Sequence, residues 1–291
     1  MAEILLIGPG AIGATLAGWL SQDDRHEVAV AARTPFDAIE VQTPEGLIHA
    51  KPRVFTDLHQ VRPVDWVLVA TKAYDSDDAA RWFATAVGPR TRVAVIQNGV
   101  EHVARFEKHI DRECIVPVMI DLPADRLSPG KTVQRGPAHL VVPAGRNGED
   151  FVKLFAHTSF DLQQTDDFTT AVWRKLCLNC AGAPCAVVMK PQGIVHQEAV
   201  AELMRELVRE CVAVGRAEGA KLEDSLPVDI VERMKRGRRD SGNSMYADRV
   251  AGRPMEYDAR NGVIVRLGRK YGIPAPMNAL MVGLLEAIQS S

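Results

Sequence analysis

Short runs of apolar residues recur through the first half of the chain and alternate with segments of helical spacing. The runs predict strands at residues 3–7, 26–32, 64–70 and 92–97, and the spacing between them predicts helices at residues 11–21, 75–86 and 101–109. Strands that alternate with helices are typical of a parallel sheet covered on both faces. We therefore predict an α/β fold whose N-terminal part is a Rossmann-type, doubly wound sheet.

Two further segments of this half predict strands outside the strand–helix alternation. The turn residues Thr43-Pro44-Glu45-Gly46 separate apolar stretches at 39–42 and 47–54, which predicts a hairpin. Strands are also expected at 115–122 and 133–142, joined by the loop at residues 127–130.

After about residue 165 the hydrophobic pattern changes to helical spacing alone. Asp166 and Asp167 can cap a helix that runs through Trp173 and Lys175. Further helices are predicted at residues 197–218, 228–236, 255–272 and 277–288. We therefore predict two domains, residues 1–165 and an all-helical domain at residues 166–291.

Composition and charge are those of an ordinary globular protein. Of the 291 residues, 46% are apolar and 25% are charged, and the net charge is −2, which argues against nucleic-acid or membrane partners. No signal peptide or membrane-spanning run is visible, so we expect a cytoplasmic protein. The odd number of cysteines, five, is consistent with this, and we expect them to be reduced thiols. Cys177 and Cys180 form a C-x-x-C pair, for which buried thiols are favoured over a redox or zinc site, and no metal is expected.

The segment Gly8-Pro9-Gly10-Ala11-Ile12-Gly13 lies between the first predicted strand and helix and has the spacing G-x-G-x-x-G. The first glycine allows a tight turn, the second lets a pyrophosphate approach the backbone, and the third lets the helix pack on the strand. The helix N-terminus offers N–H groups and a positive dipole end. These six residues predict a dinucleotide site, against the alternative of a purely structural turn.

The end of the second strand bears on the choice of dinucleotide. It reads Ala32-Arg33-Thr34, without the acidic residue that would bind the ribose hydroxyls of NAD. Arg33 can pair with a 2′-phosphate, and Lys72, which follows the predicted strand at residues 64–70, can add a second cation. The pattern predicts NADP(H), and the alternative for Arg33 is a solvated loop charge.

Three polar residues are candidates for chemistry. Asn98 follows a strand at the carboxyl edge of the sheet, although Asn98-Gly99 also suits a simple turn. Lys175 and Asn179 are four apart and so share a helix face. A lysine there can donate a proton to a carbonyl oxygen and stabilise an alkoxide, or else extend its amine to water.

Taken together, six segments resemble the ketopantoate reductase (2-dehydropantoate 2-reductase) family, in order and over the full chain. They are Gly8-x-Gly10-x-x-Gly13, Thr71-Lys72, Gln97-Asn98-Gly99, Trp173-Arg174-Lys175-Leu176-x-x-Asn179, Asn243-Ser244-Met245 and Arg253-x-x-Glu256-x-Asp258-x-x-Asn261-Gly262. The resemblance implies an oxidoreductase that reduces ketopantoate to D-pantoate with NADPH, a step toward coenzyme A.

The resemblance also implies roles for individual residues. Lys175 would be the general acid, and Glu256, otherwise only a favourable first-turn charge, would position the substrate and the proton path. Asn98 would contact the substrate or Lys175, and Asn98 and Glu256 would also lie at the cofactor. Asn179 and Ser244 would bind the hydroxyl and carboxylate ends of a 2-keto acid. Arg33 and Lys72 would hold the 2′-phosphate, and a homodimer is one state left open.

Two positions depart from the family pattern. Ala183 stands where the family commonly has an asparagine that touches the substrate hydroxyl, and Met255 stands where a threonine is usual. These departures leave open a reductase of another 2-keto acid or ketone. A non-catalytic NADPH-binding sensor is a second alternative, but the presence of both Lys175 and Glu256 argues against it. A dehydrogenase of the 6-phosphogluconate type is a third, but the residues around the lysine and the asparagine match the reductase better.

Overall fold

The structure, a computed structural model, describes residues 1–290 and divides into two compact units. The first unit comprises residues 1–97 and 101–168, and the second comprises residues 98–100 together with the chain from residue 169. The short segment that contains Asn98 thus belongs with the helical part of the chain, although it follows a strand of the first unit. This assignment brings Asn98 into the same unit as the other polar candidates.

The first unit contains the strands of the protein. In chain order they are β1 (Ala2–Ile7), β2 (His26–Ala31), β3 (Ile39–Thr43), β4 (Gly46–Ala50), β5 (Arg53–Phe55), β6 (Trp66–Val69), β7 (Arg92–Val95), β8 (Ile115–Pro117), β9 (Met119–Asp121), β10 (Ala124–Ser128), β11 (Lys131–Gln134), β12 (His139–Pro143) and β13 (Asp161–Thr165). Six of them form a parallel sheet in the order β5-β2-β1-β6-β7-β8. The predicted Rossmann-type sheet is therefore confirmed.

Both faces of this sheet are buried, which explains the uninterrupted apolar runs in its strands, such as residues 4–7 of β1 and 66–69 of β6. In β1, Ile4 and Leu6 join one hydrophobic cluster, whereas Leu5 and Ile7 join another. Alternate side chains of a strand point to opposite faces, so two separate clusters require cover on each side of the sheet.

The remaining strands form two smaller sheets that the alternation of strands and helices did not predict. The predicted hairpin is confirmed, since β3 and β4 pair antiparallel around Thr43 and Gly46. It belongs to a four-stranded sheet ordered β10-β11-β3-β4, and β13-β12-β9 form a three-stranded sheet. The predicted strand at 47–54 is wrong as a single element, because β4 and β5 lie in different sheets on either side of Pro52.

Several other element predictions in this unit were also wrong. The segment 133–142 breaks at Gly136-Pro137, and 115–122 breaks at Val118, whose N–H donates to Val95 O. The helix predicted at 75–86 is a 3₁₀ turn (Ala73–Asp75) and two short helices, α2 (Ser76–Ala80) and α3 (Phe83–Ala86). Residues 101–109 form successive turns, because their hydrogen bonds alternate between three- and four-residue spacing. The other helices of the unit are α1 (Ala11–Leu20) and α4 (Arg146–Leu154), and α4 and β13 were not predicted.

The second unit is built from helices, as predicted. They are α5 (Phe168–Ala181), α6 (Ala183–Val188), α7 (Glu198–Ala217), α8 (Leu226–Arg236), α9 (Ser244–Val250), α10 (Val263–Tyr271) and α11 (Pro276–Gln289), with a 3₁₀ turn at Gln192–His196 and a π-helical turn at Asp258–Gly262. The predicted helix at 197–218 is confirmed by α7, whereas α9 was not predicted. The helix predicted from residue 255 begins only at Tyr257, so Glu256 precedes it.

The C-x-x-C pair lies in the core of the second unit. Cys177 and Cys180 are fully buried in α5, and Cys177 Sγ is 3.4 Å from Cys211 Sγ in α7. Burial raises the pKa of the Cys180 and Cys211 thiols, which keeps them protonated. The three sulfurs therefore act as small apolar side chains in helix packing. Within residues 1–290, no helix is both long and apolar enough to span a bilayer.

Candidate active site

The carboxyl ends of three neighbouring parallel strands bring the predicted glycine loop, Arg33 and Lys72 to one edge of the sheet. Ile7 at the end of β1 is in register with Ala31 of β2 and Val69 of β6. The backbone pairing continues one residue further, because Gly8 N donates to Ala31 O and Ala70 N donates to Ile7 O. Hence the loops that carry Gly8–Gly13, Arg33 and Lys72 begin side by side, where ligands bind in such sheets.

The three glycines of the first loop differ in what a side chain at each position would contact. Gly8 has φ +90°, and a Cβ there would lie 2.6 Å from Thr71 Cγ2 and 2.8 Å from Thr71 N. A Cβ on Gly13 would lie 2.2 Å from Gly8 O. No atom lies within 4 Å of the position of a Cβ on Gly10. The first and third glycines are thus required by packing within the protein, whereas the second borders open space.

That open space lies at the N-terminus of α1. Gly10 is the N-cap of α1, and as a glycine it has no side chain that could accept a hydrogen bond from the first turn. The first intrahelical hydrogen bond is donated by Ala14 N to Gly10 O. The N–H groups of the first helical turn have no intrahelical acceptor. Together with the positive end of the helix dipole they fit a pyrophosphate, so the residues present fit a dinucleotide.

Arg33 and Lys72 lie in loops that approach each other. The side chain of Arg33 is 87% exposed, and its Nη2 is 3.6 Å from Asp75 Oδ2, in the turn that Lys72 caps. Solvent screens a contact of this length at so exposed a site, so it holds Arg33 only weakly. The guanidinium can therefore turn to an anionic ligand.

A buried glutamine joins the loops that follow β6 and β7. Gln97 is 4% exposed, and its Nε2 donates to Thr71 Oγ1 at 2.9 Å and to Lys72 O at 3.3 Å. Its Oε1 accepts from Arg105 Nη1 at 3.2 Å. The network holds Thr71 next to Gly8 and so fixes the loops at this edge of the sheet.

In the second unit, the structure brings together two polar candidates that are distant in sequence. Asn98 Nδ2 donates to Glu256 Oε2 at 2.9 Å across a separation of 158 residues. Glu256 is 4% exposed, and Asn98 is half-buried. A hydrogen bond from an amide to a buried carboxylate fixes the orientation of both groups.

Lys175 and Asn179 lie on successive turns of α5, and both are half-buried. Three residues after Asn179, Gly182 O accepts from Asn243 Nδ2 at 2.8 Å, and a Cβ on Gly182 would lie 2.2 Å from that nitrogen. This contact holds the end of α5 against the start of α9, where Ser244 is the first residue.

Asn243 and Ser244 form the N-terminal end of α9. Asn243 caps the helix, since its Oδ1 accepts from Tyr246 N at 2.9 Å. Ser244 is exposed, and its Oγ accepts from Arg260 Nη2 at 2.5 Å. Ser244 is thereby tied to the segment that also carries Glu256.

Arg260 lies in the π-helical turn and is 2% exposed. Arg260 occupies an unspecified position of the last family segment, so the sequence predicted no role for it. The signal was present, because a single arginine lies among Ala259, Asn261 and apolar residues that predict a buried helix face. Next to it, Asn261 Nδ2 donates to Asn278 Oδ1 at 2.9 Å and Cys180 O at 3.4 Å, which fastens the turn to α11 and α5.

Family models match nearly the whole chain. The model described as "Ketopantoate reductase PanE/ApbA" matches residues 4–147, and that described as "Ketopantoate reductase PanE/ApbA C terminal" matches residues 167–289. A 2-dehydropantoate 2-reductase of Caulobacter vibrioides is 54% identical over 287 residues, which cover 99% of both chains.

Solved structures of similar proteins share the fold. A ketopantoate reductase of Ralstonia eutropha has a TM-score of 0.91 at 29% identity, covering 99% of this chain and 98% of its own. A ketopantoate reductase of Staphylococcus aureus, described as dimeric, has a TM-score of 0.88 at 22% identity and covers 99% of both chains.

Proposed function

The chain belongs to the ketopantoate reductase family of nicotinamide-dependent oxidoreductases, and we propose that it reduces the ketone of 2-dehydropantoate to pantoate with NADPH. The hydrogen bond between Asn98 and Glu256 carries this proposal. It joins two family motifs that are far apart in sequence, inside the unit that also contains Lys175, Asn179 and Ser244. The 54% identity to the Caulobacter vibrioides reductase supports the same substrate.

In this proposal the two parts of the chain divide the work. Residues 1–165 bind the dinucleotide and residues 166–291 carry the acid and the substrate contacts. Gly8, Pro9, Gly10, Ala11, Ile12 and Gly13 face the pyrophosphate. Arg33 and Lys72 pair with the 2′-phosphate, which is the reason for proposing NADPH over NADH. When bound, the nicotinamide supplies a hydride to the carbonyl carbon of the substrate.

The second unit stabilises the charge that develops on the substrate oxygen. Lys175 Nζ donates a proton to the carbonyl oxygen, which otherwise becomes an alkoxide. Glu256, oriented by Asn98, positions the substrate and the proton path, and both also lie at the cofactor. Asn179 and Ser244 bind the hydroxyl and the carboxylate ends of the substrate.

One observation favours a second candidate substrate. Ala183 is fully buried at the start of α6 and carries no polar group where the family commonly has an asparagine. Met255 is 3% exposed and likewise offers no hydroxyl. A 2-keto acid without the pantoate hydroxyl would lose nothing at such a site. We therefore propose reduction of such an acid as the alternative function.

We also propose a cytoplasmic homodimer as the working form of the enzyme. The Staphylococcus aureus reductase is described as dimeric. The five cysteines are free, which suits a reducing compartment.

The loss of NADPH absorbance with 2-dehydropantoate and with a panel of other 2-keto acids tests the reaction. Lys175→Ala is expected to lower kcat by about 10²–10⁴-fold, the usual contribution of general acid catalysis, while the Kd of NADPH stays unchanged. Lys175→Arg is expected to restore little, because a guanidinium does not release its proton. Lys190→Ala, an exposed lysine of the same unit, is the matched control. Near-normal turnover by Lys175→Ala would reject the role and point to Glu256 as the acid.

A further inference from the structure

Arg260 is a buried charge with unused hydrogen-bond donors. Residues 259–264 are all buried, although Asp258 at the start of the turn is exposed. Nη2 donates to Ser244 Oγ at 2.5 Å, but Nε and Nη1 have no hydrogen-bond partner among residues 1–290. Buried donors are nearly always paired, and an unpaired donor on a charged group is among the most costly exceptions. The arrangement lacks an acceptor, and an anionic acceptor fits it best.

The guanidinium keeps its charge at this site. Burial lowers the pKa of Arg260, while the nearby carboxylates of Glu256 and Asp248 raise it. Arginine remains protonated under such opposing effects because its intrinsic pKa is so high. Asp248 is already paired with Arg253, at 2.9 Å from Nε, and Glu256 already accepts from Asn98. Neither carboxylate fills the unused donors of Arg260.

The fork of the guanidinium allows a two-point contact with a carboxylate. Nη2 carries two hydrogens, one on the side of Nε and one on the side of Nη1. Ser244 takes one of them. The other hydrogen then lies beside an unpaired N–H, either that of Nε or one of Nη1. Two parallel N–H groups are the geometry that arginine uses to bind a carboxylate.

The buried fork contacts one exposed residue, Ser244. Ser244 is exposed, and the guanidinium lies directly beneath its hydroxyl. Glu256 is four residues before Arg260 and close enough to raise its pKa, so the fork and the proposed proton path belong to one segment. A 2-keto acid has its carboxylate on the carbon next to the ketone, which places both groups within this short reach.

We propose that Arg260, together with Ser244, binds the carboxylate of the substrate and makes the enzyme selective for 2-keto acids over neutral ketones. This inference rests on the proposed function and adds to it a specificity-determining residue. The π-helical turn serves this role, because it presents Arg260 to Ser244 while Asn261 fastens the turn to α5 and α11.

The test compares 2-dehydropantoate with its lactone, a neutral cyclic ester in which the same carboxylate is masked. In Arg260→Gln, kcat/KM for the acid is expected to fall by roughly tenfold to a hundredfold, mainly through KM, as for the loss of a charge-assisted hydrogen bond. The value for the lactone is expected to change by less than about threefold. Arg269→Gln, an exposed arginine of α10, is the matched control and should leave both values unchanged.

The outcomes separate this inference from the proposed function. Equal losses for the acid and the lactone would show a structural role for Arg260 and overturn the inference. If Arg260→Gln does not fold, Arg260→Lys retains the charge without the fork, and its Kd for pantoate should rise about tenfold or more. An unchanged Kd would also overturn the inference. Failure of the unaltered enzyme to reduce 2-dehydropantoate with either nicotinamide would instead reject the proposed function.

Discussion

Alanine at Gly10 and alanine at Gly13 are expected to damage the protein in different ways, although the two glycines are three residues apart. A Cβ on Gly13 would lie 2.2 Å from Gly8 O and 2.9 Å from Leu6 Cδ2, inside the buried junction of β1 and α1. A Cβ on Gly10 would meet no atom within 4 Å. Gly10 also has φ −75° and ψ −159°, a conformation that alanine adopts without strain.

These distances set the expected magnitudes. Ordinary contact of a Cβ with an oxygen needs more than 3 Å, so Gly13→Ala forces a backbone shift of about 1 Å. Overpacking of this kind costs about 1–3 kcal/mol, which lowers Tm by roughly 2–12 °C. Gly10→Ala is expected to leave Tm unchanged or raise it slightly, since alanine restricts the unfolded chain. Its methyl group occupies the space proposed for the pyrophosphate, so the Kd of NADPH should rise about tenfold or more.

Calorimetry gives Tm for each variant, and a fluorescence titration gives the Kd of NADPH. Gly283→Ala is the control, because this glycine is exposed in α11 and its Cβ would also meet open space. The reasoning fails if Gly10→Ala loses as much stability as Gly13→Ala. It also fails if Gly10→Ala binds NADPH as tightly as the unaltered protein.

Two further predictions concern the first unit. Arg33→Ala should raise the Kd of NADPH about tenfold with little change for NADH, since a charge-assisted bond to the 2′-phosphate contributes about 1.5–3 kcal/mol. Titration with both nucleotides measures the two Kd values, and Arg90→Ala, at an exposed arginine, is the control. Equal effects of Arg33→Ala on the binding of NADPH and NADH would contradict the prediction. Burial lowers the pKa of His102 to about 3, so the folded protein keeps it neutral while the unfolded chain protonates it below about pH 6.5, and stability is lost as pH falls through this window. Urea unfolding at pH 7.5 and pH 5 measures how much the free energy of unfolding falls between the two. This fall should be about 2 kcal/mol smaller for His102→Gln than for the unaltered protein. An identical fall in both proteins would refute the conclusion that His102 stays neutral in the folded state.

Local chemistry was sufficient to predict the glycine turn between β1 and α1 and the helical second unit. Gly8, Gly10 and Gly13 act through turn geometry and close approach, which are properties of a few adjacent residues. Strand β1 has the uninterrupted apolar run 4–7 because both faces of the sheet are buried, and this pattern is visible in the sequence. The amphipathic spacing of α7 likewise predicted that helix to within one residue at each end.

Elements broken by a local event were harder to predict. The interruptions at Pro52 and Gly136-Pro137 separate strands that lie in different sheets, yet the apolar residues on either side led to the prediction of one strand in each case. The helix α9 is short, and its start depends on the Asn243 cap and on the contact with Gly182. Such elements are stabilised mainly by tertiary packing, which propensity does not encode.

By itself, the sequence determined the parallel sheet, the glycine loop, the all-helical second half and the residues that resemble a reductase. Only the tertiary structure decided that Asn98 packs with the second unit and reaches Glu256. Only it showed that Arg260 is buried against Ser244 with two donors unpaired. The physical reason is that periodicity and turn chemistry act over a few residues, whereas the pairing and burial of a polar group depend on which distant segments pack around it.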